Sequence, residues 1–132
     1  MILSFSVFKD KIENGTKSQT IRPYNERQFK RHVNAKKFQL YWHNPRNGGK
    51  LIKEVDPPLA DAPRIIRFDN QMGDHFDRIW YSSDGQWLGM DREEVAQRDG
   101  FASYKEMQEW FYKSYGKDMY KILFMLIRWS RG

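Results

Sequence analysis

The sequence predicts an α+β domain, mainly β: a small β-barrel of six or seven mostly antiparallel strands, with three or four short helices. Three observations lead there. Short runs of branched and aromatic residues recur along the chain, several alternating with polar residues as half-buried strands do. Turn-forming clusters, Asn44–Gly49 and Asp84-Gly85, join neighbouring runs into hairpins. Capping spacings, Asp91 with Glu94 and Ser103 with Glu106, mark the starts of two late helices. The 132 residues suffice for one domain with a hydrophobic core, and no linker or repeat divides them.

Taken in order, Ile2–Phe5 reads as an opening strand. Ser6 is placed to cap a helix running to about Asn14, with Phe8 and Ile12 on its buried face and Gly15 as its left-handed stop. Thr20 and Ile21 favour extended backbone, and Arg22 precedes Pro23, which also disfavours helix. In a strand, Ile21 would anchor the segment while Thr20 and Arg22 share the other face. Asn25 caps a basic helix over Glu26–His32, with Phe29 as its apolar contact. Phe38–His43 alternates as a half-buried strand and pairs with Leu51–Val55 across the first hairpin. Asp56–Pro63 and Asp69–Asp74 read as loops around a strand at Arg64–Phe68. Phe76–Ser83 and Gln86–Met90 form the second hairpin. Tyr104, Met107, Trp110, Phe111 and Tyr115 lie on one side of the last helix as a core face. Met119–Trp129 is almost continuously apolar, as a strand buried on both sides would be. All of these elements are expected within a single domain, 1–132.

Charge is uneven. Residues 1–50 hold 11 Lys/Arg against 3 Asp/Glu, a balance of +8, whereas residues 51–132 hold 12 against 14, a balance of −2. A basic face for an anionic partner and a merely uneven soluble surface fit this equally. There is no cysteine, so thiolate and disulfide chemistry are excluded. His32, His43 and His75 lack metal-ligand spacing, and neither a metal nor a cofactor is expected. No apolar run is long enough to span a bilayer, so a soluble cytoplasmic protein without a membrane partner is expected.

The segment Gly15–Arg22 carries the chemistry. Arg22 offers a planar fork of donors for phosphate or carboxylate. Lys17 is a point charge, or a proton acceptor if burial and cationic neighbours lower its pKa. Thr20 is a weak nucleophile until something removes its proton. A turn would bring Lys17 and Thr20 within reach; extended backbone would separate them. By spacing alone, a capped loop with exposed charges is the plainer reading.

Gly15-Thr16-Lys17-Ser18-Gln19-Thr20-Ile21-Arg22 resembles the G-x-K-x-x-[E/T]-x-R signature of the ASCH family, which is related to the PUA domains. Ile2–Asn14 resembles the family's opening strand and helix. Ala96–Phe101 followed by Ser103–Trp110 resembles its late carboxylate-Gly-Phe block and helix, and Ile127-Arg128-Trp129 its closing strand; residues 56–90 match less, and the resemblance implies that they are a family-variable elaboration. The resemblance implies a PUA-like β-barrel with a cleft beside the motif and a partner that is RNA or a modified nucleoside. Some members are amidohydrolases that remove an acyl group from the exocyclic nitrogen of cytidine, and one group is associated with ribonuclease activity. The amidohydrolase branch uses a lysine, a threonine three residues later and a late carboxylate. Lys17 and Thr20 match the first two. Asp99 falls where that branch carries a glutamate and is shorter by a methylene.

The implied catalytic set is therefore Lys17, Thr20 and Asp99. Lys17 would take the proton of Thr20, Thr20 would attack the acyl carbon, and Asp99 would orient Lys17 or serve the leaving amine. Arg22 and backbone N–H groups near Gly15 would bind substrate and oxyanion. Tyr41 and His43 would line the cleft, their plainer reading being a solvated strand face. The rival class is a non-catalytic RNA-binding module whose backbone contacts come from Lys11, Lys17, Arg22, Arg27, Lys30 and Arg31. Ribonuclease action is a third reading that no constellation singles out.

Overall fold

The computed structural model describes residues 1–58, 62–70 and 77–130. Eight strands and four α-helices lie among them: β1 (Ile2–Phe5), α1 (Lys9–Glu13), β2 (Gln19–Pro23), α2 (Glu26–Asn34), β3 (Phe38–Trp42), β4 (Lys50–Val55), β5 (Arg64–Asp69), β6 (Arg78–Ser83), β7 (Gln86–Met90), α3 (Arg92–Arg98), α4 (Tyr104–Tyr115) and β8 (Phe124–Arg128). Short 3-10 turns occupy Pro45–Asn47 and Gly116–Tyr120. The parts of the expected loops at 59–61 and 71–74, the expected strand start at Phe76, and His75 lie outside the described residues.

The strands form two open sheets rather than the expected barrel. One has the order β1-β3-β4 and the other β2-β8-β5-β6-β7. The pairing of β1 with β3 is parallel and the other pairings are antiparallel. The edge strands are β1 and β4 in one sheet and β2 and β7 in the other, and no ladder joins the sheets among the described residues. Here α1 and the turn at Gly15 carry the chain from one sheet to the other. The Ser4 carbonyl of β1 instead accepts 2.8 Å from the Arg22 guanidinium of β2. A side chain thus links the two sheets, and Pro23, with no N–H, ends β2.

β8 holds the layers together. All five of its residues are buried. Phe124 and Leu126 face a core shared with Ile21, Ile66, Phe68, Val95, Met107 and Phe111, under α3 and α4. Met125 and Ile127, followed by Trp129, face a second core with Leu3, Phe5, Ile12, Phe38 and Leu40 under the smaller sheet. At about 1.5–3 kcal/mol per fully buried large apolar side chain, this one strand contributes to two cores at once. The expected strand over Met119–Trp129 is shorter, because Met119 and Tyr120 belong to the 3-10 turn.

Local signals set most element ends. Asn25 Oδ1 accepts from the Gln28 N–H at 3.0 Å, Asp91 Oδ1 from Glu93 and Glu94, and Ser103 Oγ from Glu106. The first helix departs from expectation. It begins at Lys9, not at Ser6, because Phe8 adopts the left-handed region at φ 63°. Tertiary packing holds it there: its ring meets Phe101 edge-on at 5.1 Å and lies over Gly100. Trp110, expected in the core stripe of α4, is 42% exposed, while Tyr104, Met107 and Phe111 are buried.

Candidate functional site

Gly15 takes φ 82° after α1, and its N–H is engaged by the Ile12 carbonyl at 3.3 Å. That turn sends residues 16–19 under the C-terminal end of α3. A helix end leaves its last carbonyls without intrahelical partners, and the basic segment supplies the donors. Ser18 N–H donates to the Arg98 carbonyl at 2.8 Å, and Lys17 Nζ to the Asp99 carbonyl at 2.7 Å. Lys11 Nζ donates to the Gly100 carbonyl, and Gln19 Nε2 to the Val95 carbonyl at 2.8 Å. On the other side, Trp129 N–H donates to the Ser18 carbonyl at 3.1 Å. The segment is thus not a loop with exposed charges: Lys17, Ser18, Gln19 and Thr20 are all buried.

Lys17 and Asp99 meet, although 82 positions separate them. Besides the carbonyl contact, Lys17 Nζ lies 3.5 Å from Asp99 Oδ2. Asp99 Oδ1 accepts from Gln19 Nε2 at 3.3 Å, and Gln19 Oε1 accepts from Arg128 Nε at 3.1 Å. The shorter aspartate therefore reaches the lysine. Burial pushes the Lys17 amine below its usual pKa against the pull of Asp99, with Arg22 and Lys11 lowering it further. Burial pushes the Asp99 carboxyl up against the opposing charge of Lys17. Both directions lead from an ion pair towards an amine and a carboxylic acid.

Thr20 and Arg22 form a second pair on β2. Arg22 Nε lies 3.4 Å from Thr20 Oγ1, and burial lowers the Arg22 pKa. The register explains the arrangement. Thr20 pairs with Ile127, whose side chain is in the core under the smaller sheet, while Ile21 pairs with Leu126 in the core under the helices. The two pairs are linked through Phe5, whose ring centroid is 5.6 Å from Lys17 Nζ and 5.2 Å from Arg22 Cζ. Lys17 Nζ is also 5.7 Å from the Phe8 ring. The Thr20 hydroxyl is hydrogen-bonded to Arg22, not to Lys17. One member of each pair, Lys17 and Arg22, thus lies against the same phenyl ring.

The remaining expected residues are dispersed. His43 does not continue the β3 face: it adopts φ 65°, is exposed, and tilts over Trp42 at 4.5 Å. Tyr41 is half-buried on β3, beside a bulge at Leu40/Tyr41. Lys11 is tied to Gly100 and sits 4.7 Å from the Phe8 ring. Lys30 pairs with Glu26 at 3.3 Å on the exposed face of α2, and Arg27 is exposed.

Arg22 and Arg31 instead border a groove of about 670 Å³ beside β1. Its wall also includes Gln28, His32, Gln39, Asn44 and Arg46, but not Lys17, Thr20, Asp99, Tyr41 or His43. His32 is buried in that wall, and burial, Arg22 and Arg31 lower its pKa to about 4. Gln19, Phe5, Phe8, His32 and Arg46 escaped the sequence reading. Only Gln19 carried a signal there, as a polar residue between Lys17 and Thr20 inside the motif.

Among the described residues no group of His, Asp and Glu is arranged to hold a metal ion, and no helix is long and apolar enough to cross a membrane. No family model, curated protein or solved structure matches the chain.

Proposed function

We propose that the chain binds RNA or a modified nucleoside beside Arg22 and acts as an amidohydrolase on an acyl group carried by the exocyclic nitrogen of cytidine. The observation that carries the catalytic part is the buried Lys17–Asp99 pair adjoining Thr20 and Arg22. Burial, Arg22 and Lys11 lower the Lys17 pKa, which suits the amine to accept a proton. In this scheme Thr20 Oγ forms a bond to the acyl carbon as its proton passes to Lys17. The oxyanion is met by Arg22. The bond to the exocyclic nitrogen breaks, and the Lys17 proton goes to the leaving amine. Water then hydrolyses the threonyl ester and frees the carboxylic acid.

The resting hydrogen bond of Thr20 to Arg22 must give way for this transfer, and apo hydrogen bonds of catalytic groups are often reorganised on substrate binding. A second reading, binding without turnover, is favoured by a specific observation. Lys17 has a structural task, closing the end of α3, and Thr20 is only 7% exposed.

The discriminating residue is Thr20, whose only side-chain hydrogen bond among the described residues is the long one to Arg22. Wild type should release cytidine from N4-acetylcytidine. Thr20→Val should lower that rate at least about 100-fold while Thr20→Ser retains part of it, both variants melting close to wild type. Absence of release by wild type, or full activity in Thr20→Val, would refute hydrolysis by this residue.

A further inference from the structure

Three arginines from three separate elements border the groove beside β1: Arg22 from β2, Arg31 from α2 and Arg46 from the turn between β3 and β4. None of the groove-lining residues carries a carboxylate. None of the three guanidinium groups makes an ion pair with a described carboxylate, although ion pairs form elsewhere on the surface, as at Lys9–Glu13 and Lys37–Asp56. Bringing three cations to one concavity without counter-charge is unfavourable unless an anion enters it.

The wall is built rather than incidental. Arg46 sits on a braced turn: Asn44 Oδ1 accepts from the Arg46 N–H at 2.9 Å, and the Asn44 carbonyl accepts from Asn47 and Gly49, both at 2.9 Å. A Cβ on Gly49 would lie 2.2 Å from the His43 carbonyl oxygen, so the turn closes tightly. Arg22 is held by the Ser4 carbonyl and Thr20, which engages two of its five N–H donors. His32, buried in the same wall, has an Nδ1 without a hydrogen-bond partner, which marks the wall as incompletely satisfied. Gln28, Gln39 and Asn44 add neutral polar groups at the rim. A fork of guanidinium donors from several directions matches the tetrahedral oxygens of phosphate better than it matches a carboxylate.

We propose that this groove is a phosphate site, taking the phosphate of a nucleotide on Arg31 and Arg46 while Arg22 joins it to the Thr20 side of the molecule. The choice of a nucleotide rests on the reading above that this region takes a nucleoside. The phosphate follows from the groove alone. The ligand class is therefore a phosphorylated nucleoside, free or as a residue of RNA, in preference to the bare nucleoside.

The test is equilibrium binding of cytidine 5′-monophosphate and of cytidine at low salt, to wild type and to Arg31→Ala/Arg46→Ala. Both arginines are exposed, so their truncation leaves the cores intact. Wild type should bind the nucleotide about tenfold or more tightly than the nucleoside, with affinity falling as salt rises, and the double variant should lose that preference. Nucleotide binding should also raise the His32 pKa seen by NMR titration, since the anion offsets Arg22 and Arg31, whereas cytidine should leave it unchanged. Equal affinity for nucleotide and nucleoside, or a preference that survives in the double variant, overturns the inference. The measurement contains no acyl group. A protein that prefers the nucleotide but frees no cytidine from N4-acetylcytidine refutes hydrolysis and keeps the phosphate site. One that hydrolyses but shows no preference refutes the phosphate site alone.

Discussion

Replacing Asp99 with Asn tests the electrostatic state of the buried pair. The substitution is nearly isosteric. Its Oδ1 can still accept from Gln19 Nε2, now at 3.3 Å, while the group 3.5 Å from Lys17 Nζ changes from carboxyl oxygen to amide nitrogen. If the pair is ionised, Asp99→Asn strands a buried ammonium beside an N–H donor, a loss of about 3–5 kcal/mol. If burial has driven the pair towards amine and carboxylic acid, the new amide N–H donates to the Lys17 lone pair much as the acid O–H did. The cost is then that of one adjusted hydrogen bond, about 1–2 kcal/mol. Both pKa shifts run in the direction of the second case, and the smaller loss is the expected outcome. For a domain of this size that is a fall in Tm of about 4–8 °C.

Urea unfolding at neutral pH supplies the free energy, and repeating it at higher pH supplies the sign. A lysine whose folded pKa is lowered binds fewer protons folded than unfolded, so stability rises as pH climbs towards 10.5. In wild type the proton that Lys17 gives up is matched by the one Asp99 retains, whereas in Asp99→Asn nothing offsets it, so the rise should be steeper in the variant. A loss of about 4 kcal/mol or more, or a rise no steeper in the variant than in wild type, would refute the neutral-pair reasoning.

Two further predictions concern neighbouring residues. Gly100→Ala should cost about 2–4 kcal/mol in urea unfolding, because φ is +104° and the new Cβ would lie 3.1 Å from Phe8 Cδ2; a loss below about 1 kcal/mol would mean that Phe8 is not held against this glycine. His32 carries a folded pKa lowered to about 4 from 6.5, so its contribution to stability is present above pH 6.5 and lost as pH falls from 6.5 towards 4. Acid unfolding should show this as a loss on the order of 2–3 kcal/mol that His32→Gln removes, and an unchanged acid limb in that variant would place the cause elsewhere.

Much of the local architecture was legible. Asn25, Asp91 and Ser103 cap helices through contacts within three residues of themselves. Gly15 sits in the left-handed region that a helix stop requires, and the apolar run before Trp129 is a strand buried on both faces. The facing of Ile21 towards a core, with Thr20 and Arg22 opposite, followed from strand alternation. Phe8 shows where local reasoning stops: its left-handed backbone is set by Phe101 and Gly100, over ninety residues away in sequence.

The sequence by itself determined the element types, their caps, and the spacing that put Lys17, Thr20 and Arg22 on one short segment, because these depend on side-chain periodicity and nearby hydrogen bonds. Only the tertiary structure decided that the sheets stay open, since closure depends on which distant edges meet, and the Ser4 carbonyl is taken by Arg22 rather than by a β2 N–H. Only it decided that Lys17 is buried on the end of α3 against Asp99, while Thr20 is held by Arg22, which shares the Phe5 ring with Lys17. Desolvation and long-range charge set the state of such groups, and neither is encoded in the residues next to them in the chain.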